Sequence, residues 1–272
     1  LLLGVFLGIW AFVWEPSRLT EKSYRLSLPN WPATCSDYRI AVISDIHAGA
    51  PYIGLDKIDR MVAMIRKQKP DMVLLPGDFV IQEVLGGSFI APEDLALHLK
   101  PLLQQAKVYA VLGNHDAMLD SERVRLAFEN AGIPVLEDRS VSITKNQCRF
   151  RLVGLSDYHE GKHEYRKAFA SVPEGSAVLA FTHNPDIFPD IQAPFSVMIA
   201  GHTHGGQVLL PWVGRAVVPS KYGQRYAIGH IRENDRHLFV TPGIGTSILP
   251  VRFGVPPEIS YLQLRSTQGN AP

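Results

Sequence analysis

The chain predicts an α/β fold built as one compact catalytic domain, and three observations carry that prediction. Short runs rich in Val, Ile, Leu or Phe recur along it: RIAVIS, DMVLLP, KVYAVL, AVLAF and FSVMIA. Segments with helical spacing of apolar residues lie between the earlier runs, so strand and helix signals alternate. Each run is followed at once by a short polar motif, the position where open α/β sheets place their chemistry. At 272 residues the chain can bury a large core, and many α/β proteins of this length form a single domain.

The first fourteen residues, LLLGVFLGIWAFVW, carry no charge. A spanning helix needs about 20 apolar residues, so this run is short by itself. The chain begins without Met, and the expectation is that a longer apolar segment continues into it. Trp10 and Trp14 suit an interfacial aromatic belt, and the flank Glu15-Pro16-Ser17-Arg18 offers no small-x-small cleavage site. A membrane anchor is therefore expected rather than a cleaved signal. Arg18, Lys22 and Arg25 just beyond it predict a catalytic domain on the cytoplasmic side.

Residues 15–37 hold three prolines and mixed charge with little periodicity, and are expected to be a linker or an edge segment. The globular part is expected over 38–265, with a tail at 266–272. Leu55, Ile58, Met61, Val62 and Ile65 share one helical face and predict a helix over 55–67, stopped before Lys69-Pro70. Pro92-Glu93-Asp94 opens a second helix, interrupted at Pro101. Asp120 or Ser121 caps a third, carrying Val124, Ala127, Phe128 and Ala131 and ended by Gly132 and Pro134. Beyond Gly205 the pattern is short strands with Gly and Pro punctuation.

The formal net charge is +1, which argues against a nucleic-acid binder, whose footprint is a basic excess or stripe. The two cysteines, Cys35 and Cys148, form neither a disulfide framework nor a zinc ribbon. Two unpaired structural thiols are expected, with a single bond between them as the alternative.

Five motifs follow the hydrophobic runs in order: Asp45-Ile46-His47, Gly77-Asp78, Gly113-Asn114-His115-Asp116, His183, and Gly201-His202-Thr203-His204. Asp, Asn and His donors suit a pair of divalent cations. In an extended backbone positions i and i+2 project to one side, so Asp45 and His47 can reach one cation. His202 and His204 repeat the spacing. Gly77 permits the turn that aims Asp78 back at the same cation, and its two oxygens make it the natural bridge to a second. Asn114 and His183 add a carbonyl oxygen and an imidazole nitrogen.

Singly these motifs are common; together they resemble the calcineurin-like metallophosphoesterase superfamily over roughly residues 38–265. The resemblance implies a sandwich of two mixed β-sheets flanked by helices, with a dimetal site at the strand ends. It further implies that Asp45, His47, Asp78 and His204 hold one metal, and Asp78, Asn114, His183 and His202 the other. His115 would protonate the leaving oxygen, with Asp116 as its acidic partner. The C-terminal GHTHGGQVLLP and the segments 243–247 and 250–253 are similar to bacterial membrane-anchored phosphodiesterase-like enzymes. Some of these cleave the pyrophosphate of UDP-2,3-diacylglucosamine in lipid A synthesis.

The expected reaction is hydrolysis by a metal-bound hydroxide, since a bound cation lowers the pKa of water to roughly 7. Ligand softness excludes none of Mn, Fe and Zn, and Mn is the assay metal of choice. Arg252, in a Gly/Pro-bounded loop, can contact phosphate through a bidentate fork. Asp157 is a candidate acceptor for a ligand histidine. His98, His159, His163, His230 and His237 read as surface or structural. A phosphorylated small-molecule or lipid-linked substrate is expected. The alternatives are a phosphomonoesterase or protein serine/threonine phosphatase, and a non-catalytic scaffold on the same fold.

Overall fold

A computed structural model of the protein describes residues 1–81 and 84–267. In chain order the strands are β1 (Thr20–Leu28), β2 (Tyr38–Val42), β3 (Met72–Pro76), β4 (Lys107–Val111), β5 (Arg139–Lys145), β6 (Cys148–Gly154), β7 (Val178–Phe181), β8 (Val197–Ala200), β9 (Leu209–Leu210), β10 (Gly214–Arg215), β11 (Gly229–Glu233), β12 (Arg236–Val240) and β13 (Glu258–Ser266). The helices are α1 (Leu2–Ile9), α2 (Glu15–Ser17), α3 (Leu55–Gln68), α4 (Pro92–Leu99), α5 (Asn114–Ala131) and α6 (Tyr165–Ala170), with a π-helical turn over Trp10–Trp14.

Two mixed sheets result, as expected. The first has the order β1-β13-β2-β3-β4, and the second β11-β12-β8-β7-β6-β5. Strands β2, β3 and β4 run parallel, as do β6, β7, β8 and β12. Side-chain alternation sorts the core into layers. Ile40, Val42, Met72 and Leu74 meet Leu152, Leu179, Phe181, Ile199 and Phe239 between the sheets. Their neighbours Ala41, Ile43, Val73 and Leu75 face the outside of the first sheet, under Ile58, Met61, Leu95, Val124 and Phe128 of α3, α4 and α5.

The helices follow the sequence pattern closely. Helix α3 ends in a left-handed Lys69. A short 3-10 turn takes over from α4 at Lys100–Gln104, where Pro101 removes an amide donor. Helix α5 begins earlier than predicted, at Asn114, and breaks at Asp120. The Asp120 carboxylate accepts the amides of Glu122 and Arg123, so it caps the second half of α5 as expected.

Of the two expectations for 15–37, the edge segment holds over part of it: β1 is an edge strand, parallel to β13 along its length. Only Leu26 and Leu28 of its side chains are fully buried, which is why its sequence shows little periodicity. Beyond it, Trp31 is buried, donates to the carbonyl of Cys35 at 2.8 Å and stacks near Phe150. The two cysteines form a disulfide. The expectation of two free thiols fails because Trp31 and Phe150 pack the Cys35 turn against the start of β6, where Cys148 lies. Strand β13 closes at Ser266, and of the expected tail only Ser266 and Thr267 fall within the described residues.

Helix α1 and the following π-turn bury none of their side chains. No described helix is long and apolar enough to cross a membrane.

Candidate metal centre

Asp45, Asp78, His183 and His202 lie in loops just past the C-terminal ends of parallel strands, and Asn114 opens α5 just past β4, all at one edge of the sandwich. The backbone there is unusual. Asp45, His47, Asp78, His202 and His204 have φ of 52, 45, 54, 68 and 50°. The expectation of an extended i, i+2 arrangement is therefore wrong in its local geometry, although Asp45 and His47 do converge. Left-handed backbone at non-glycine residues costs of order 1–3 kcal/mol each and persists only where surrounding structure enforces it. Here the loops are clamped: the Asp45 and His47 amides donate to Gly77 and Asp78 carbonyls, and Gly245 N–H donates to the Asp45 carbonyl. Gly77 is required, because φ is 79° and a Cβ would lie 2.5 Å from the Gly113 amide. Gly201 is required as well, since a Cβ would lie 2.0 Å from Ser44 Oγ.

Two donor groups result, joined by Asp78. His47 Nε2 lies 3.2 Å from His204 Nε2, which is 3.6 Å from Asp45 Oδ1. His183 Nε2 lies 3.0 Å from His202 Nδ1 and 3.2 Å from Asn114 Oδ1. A single oxygen, Asp78 Oδ2, is 3.6 Å from His47 Nε2 and 3.2 Å from His183 Nε2. Ring nitrogens and carboxylate oxygens of Asp45, His47 and His204, of His47, Asp78 and His115, and of Asp78, His183 and His202 lie within 4.8 Å of one another in each trio. Nitrogen and oxygen donors gathered so closely in a buried site fit a binuclear metal centre.

The protonation states are divided: His47, His202 and His204 are neutral and ready for a cation, whereas His183 and, near neutral pH, Asp45 hold protons that a cation must displace. Burial lowers His47 to about 3, and burial together with the adjacent His183 lowers His202 to about 3. Burial also holds His204 well below the usual histidine value. Asp78 is held well below the carboxylate range: burial opposes this, and His183, His47 and His115 outweigh it. His183 is raised because Asp78 outweighs its burial. Burial pushes Asp45 up to about 7. His183 Nδ1 faces the Pro76 carbonyl at 2.7 Å, which fixes the tautomer and turns Nε2 to the centre. Sequence reading missed this role of Pro76, since a carbonyl acceptor leaves no residue-type signal.

His115 stands beside these groups. Its amide donates to Asp78 Oδ1 at 2.9 Å, its Nε2 is 4.0 Å from Asp78 Oδ2, and its side chain is 15 % exposed, against 0 % for His47 and His183. It is thus an imidazole at the open side. Asp116 is not its partner. The Asp116 carboxylate is buried and accepts the amides of Asp78, Phe79, Val80 and Gly113, which ties the first turn of α5 to the Asp78 loop. His115 Nδ1 has no protein partner.

Arg252 also differs from expectation. It is fully buried, and its guanidinium donates to the carbonyls of Gly245, Val255 and Pro242. With its donors committed to these carbonyls and, at 3.4 Å, to His204 Nδ1, it holds the 242–255 loops behind His204 and presents no fork to a phosphate. Asp157 accepts the amides of His159 and Glu160, and among the described residues its carboxylate bonds no ligand histidine. His159, read as surface, has its ring centroid 6.2 Å from that of His202.

A sandwich of two mixed sheets with this donor set defines a metallophosphoesterase, and the chain belongs to the calcineurin-like phosphoesterase family, whose model matches residues 38–206. It is a hydrolase of phosphoesters. Among curated relatives, phosphodiesterase YaeI of Escherichia coli is 33 % identical over 84 % of this chain and 82 % of its own. Metallophosphoesterase YkuE of Bacillus subtilis is 25 % identical over 93 % and 88 % of the two chains. UDP-2,3-diacylglucosamine pyrophosphatase LpxG of Chlamydia trachomatis is 26 % identical over 95 % and 93 %.

Proposed function

We propose that the protein hydrolyses a phosphodiester or pyrophosphate bond in a lipid-linked or nucleotide-linked molecule, with UDP-2,3-diacylglucosamine as the leading candidate. The observation that carries the reaction type is Asp78 Oδ2, placed within 3.6 Å of a histidine from each donor group, with His115 open beside it. Asp45, His47, Asp78 and His204 would hold one cation, and Asp78, Asn114, His183 and His202 the other. Two divalent cations, when bound, neutralise charge on phosphoryl oxygens and supply an activated water at neutral pH. Mn is our choice for assay, with Fe and Zn compatible with the donors.

The residues of the chain do the rest. Neutral His47, His202 and His204 leave lone pairs free at the working pH. Asp78 is positioned by the His115 amide and its loop by Asp116. His115, half inside the site, hands a proton to the leaving oxygen. Similarity to LpxG and YaeI, as those proteins are named, supports a diester or pyrophosphate over a monoester, and the apolar N-terminus supports a membrane-tethered enzyme. The side of the membrane is a separate matter. Cys35–Cys148 supports an oxidising compartment over the cytoplasmic side that Arg18, Lys22 and Arg25 suggest.

The test is a screen of the metal-reconstituted protein against UDP-diacylglucosamine, nucleotides, phosphomonoesters, phosphopeptides and phospholipids. Preferred cleavage of a lipid-linked diester or pyrophosphate is expected. Faster turnover of phosphomonoesters or phosphopeptides would refute the substrate class and leave the metallohydrolase in place.

A further inference from the structure

Outside α1 and its π-turn, six exposed large apolar side chains, Leu85, Leu210, Trp212, Val213, Ile248 and Leu249, lie in loops that touch one another. Trp212 is 103 % exposed, Ile248 72 % and Leu85 68 %, with Val213 and Leu249 exposed beside them. The Leu85 amide donates to the Ile248 carbonyl at 3.1 Å. The Gln207 side chain bonds both main-chain groups of Ser247. The Leu209 amide donates to Phe253, and Leu209 leads into the β9–β10 hairpin whose tip bears Trp212 and Val213. Single exposed apolar residues need no explanation, but a connected set of this size does.

The same loops wall the metal centre. Gln207 follows His204 by three residues, and Gly245 backs onto Asp45. The N-terminal segment is fastened to them: the Arg252 amide donates to Ala11 O at 2.9 Å, and the Tyr52 hydroxyl to Phe12 O at 3.0 Å. Lys57 Nζ donates to the carbonyls of Pro16 and Ser17. Phe6, Leu7 and Trp10 border a hollow of about 460 Å³ with Phe253, Gly254 and Pro256.

We propose that these loops and the N-terminal helix form one lipid-docking rim, which seats the mouth of the metal centre on a bilayer surface. The occupant is a lipid phase because residues 2–14 are apolar on every side of the helix and none is fully buried, with only Gly8, Trp10 and Ala11 partly covered by the rest of the chain. A protein groove covers one face of a helix and would leave the others in water, whereas acyl chains surround it. Trp10, Trp14 and the fully exposed Trp212 place indole rings where bilayer interfaces favour them. The proposal rests on the membrane association argued above and is independent of the substrate's identity.

The test uses the full chain and vesicles of phosphatidylethanolamine and phosphatidylglycerol. The combined variant Trp212→Ser/Ile248→Ser/Leu249→Ser keeps the N-terminal helix. It is expected to bind vesicles at least about tenfold more weakly than the parent, with unchanged hydrolysis of soluble bis(p-nitrophenyl) phosphate. A nitroxide on Ile248→Cys gives a second reading, practicable because both natural cysteines are in the disulfide. On vesicle addition its collisions with oxygen should rise and those with a water-soluble nickel chelate should fall. Parent-like binding by the triple variant with a nitroxide that stays in water would overturn the rim. So would a parent chain that ignores vesicles, and in that case hydrolysis of the soluble diester would still stand.

Discussion

Five of the seven candidate ligands are held in left-handed backbone, and that strain aims short side chains from different strand ends at one volume. Among them Asp78 is the residue on which both donor groups depend. Asp78→Asn should lose metal from both positions, measured as metal per chain after dialysis; two equivalents retained would refute the bridge. His115 clusters with His47 and Asp78, their donor atoms within 4.8 Å of one another, but its side chain alone of the three opens to solvent. His115→Ala is therefore expected to lower turnover on bis(p-nitrophenyl) phosphate by about 10²–10⁴, the range of a well-placed general acid, with metal content unchanged. Near-native turnover would remove it from the mechanism. Proton linkage is also specific to residues. Because burial holds Asp45 at about 7 and Asp78 keeps His183 protonated, metal must displace protons from both. His47 and His202 are already neutral near pH 6.5 and release none. Affinity should thus fall as pH drops below 7, with roughly one to two protons released per chain loaded at pH 6.5. Calorimetric heats that do not vary with buffer ionisation enthalpy would contradict this. The convergence of the seven candidate positions on one edge of the sandwich was legible because chelating residue types sit beside glycines after apolar runs. The left-handed backbone was not, since Asp and His carry no such signature, and neither was the role of Arg252, whose partners are main-chain carbonyls and the Nδ1 of His204.

Elements bring the residues together through two loops, after β3 and β4, that share one carboxylate. Asp116 Oδ1 accepts the amides of Phe79 and Val80, and Oδ2 those of Asp78 and Gly113. Burial raises this carboxyl to about 7 against the pull of the Gly113 and Phe79 amides, so its burial is tolerated only because those donors need it. Asp116→Asn would set an NH₂ against two buried amides, each costing about 1–3 kcal/mol when unsatisfied. A loss of about 2–4 kcal/mol in unfolding free energy is expected, together with weaker metal binding through displacement of Asp78. A variant of parental stability and metal affinity would show that the two loops do not need the tie. Helices α3 and α5 were legible because their apolar stripes recur at helical spacing over several turns. Strand β1 was legible only as an edge segment or a linker, because a partly covered edge strand carries polar residues on both faces, and its pairing with β13 spans almost the whole chain.

The whole molecule is closed by contacts that no local pattern announces. Strand β13 lies between β1 and β2 in the first sheet, so the C-terminal strand locks the N-terminal one in place. Cys35 and Cys148 add a covalent link between the turn after β1 and the beginning of β6, across 113 residues of sequence. That span contains β2, β3, β4 and β5 together with the loops bearing Asp45, His47, Asp78 and Asn114. In the chain-entropy account a closed loop of about 100 residues stabilises by about 4.7 kcal/mol, with 2–4 kcal/mol typical of measured bonds. Taking about 3 kcal/mol and 2–4 °C per kcal/mol for a chain of this size, Cys35→Ser/Cys148→Ser should lower Tm by roughly 6–12 °C. Reductant should lower the parent's Tm by a similar amount and leave the double variant unmoved. The bond crosses from the first sheet's connection to the second sheet, remote from the ligand loops, so kcat on a soluble diester at 25 °C should be retained. Equal melting of parent and variant, with or without reductant, would show that packing of Trp31 and Phe150 joins the two sheets without help from the disulfide.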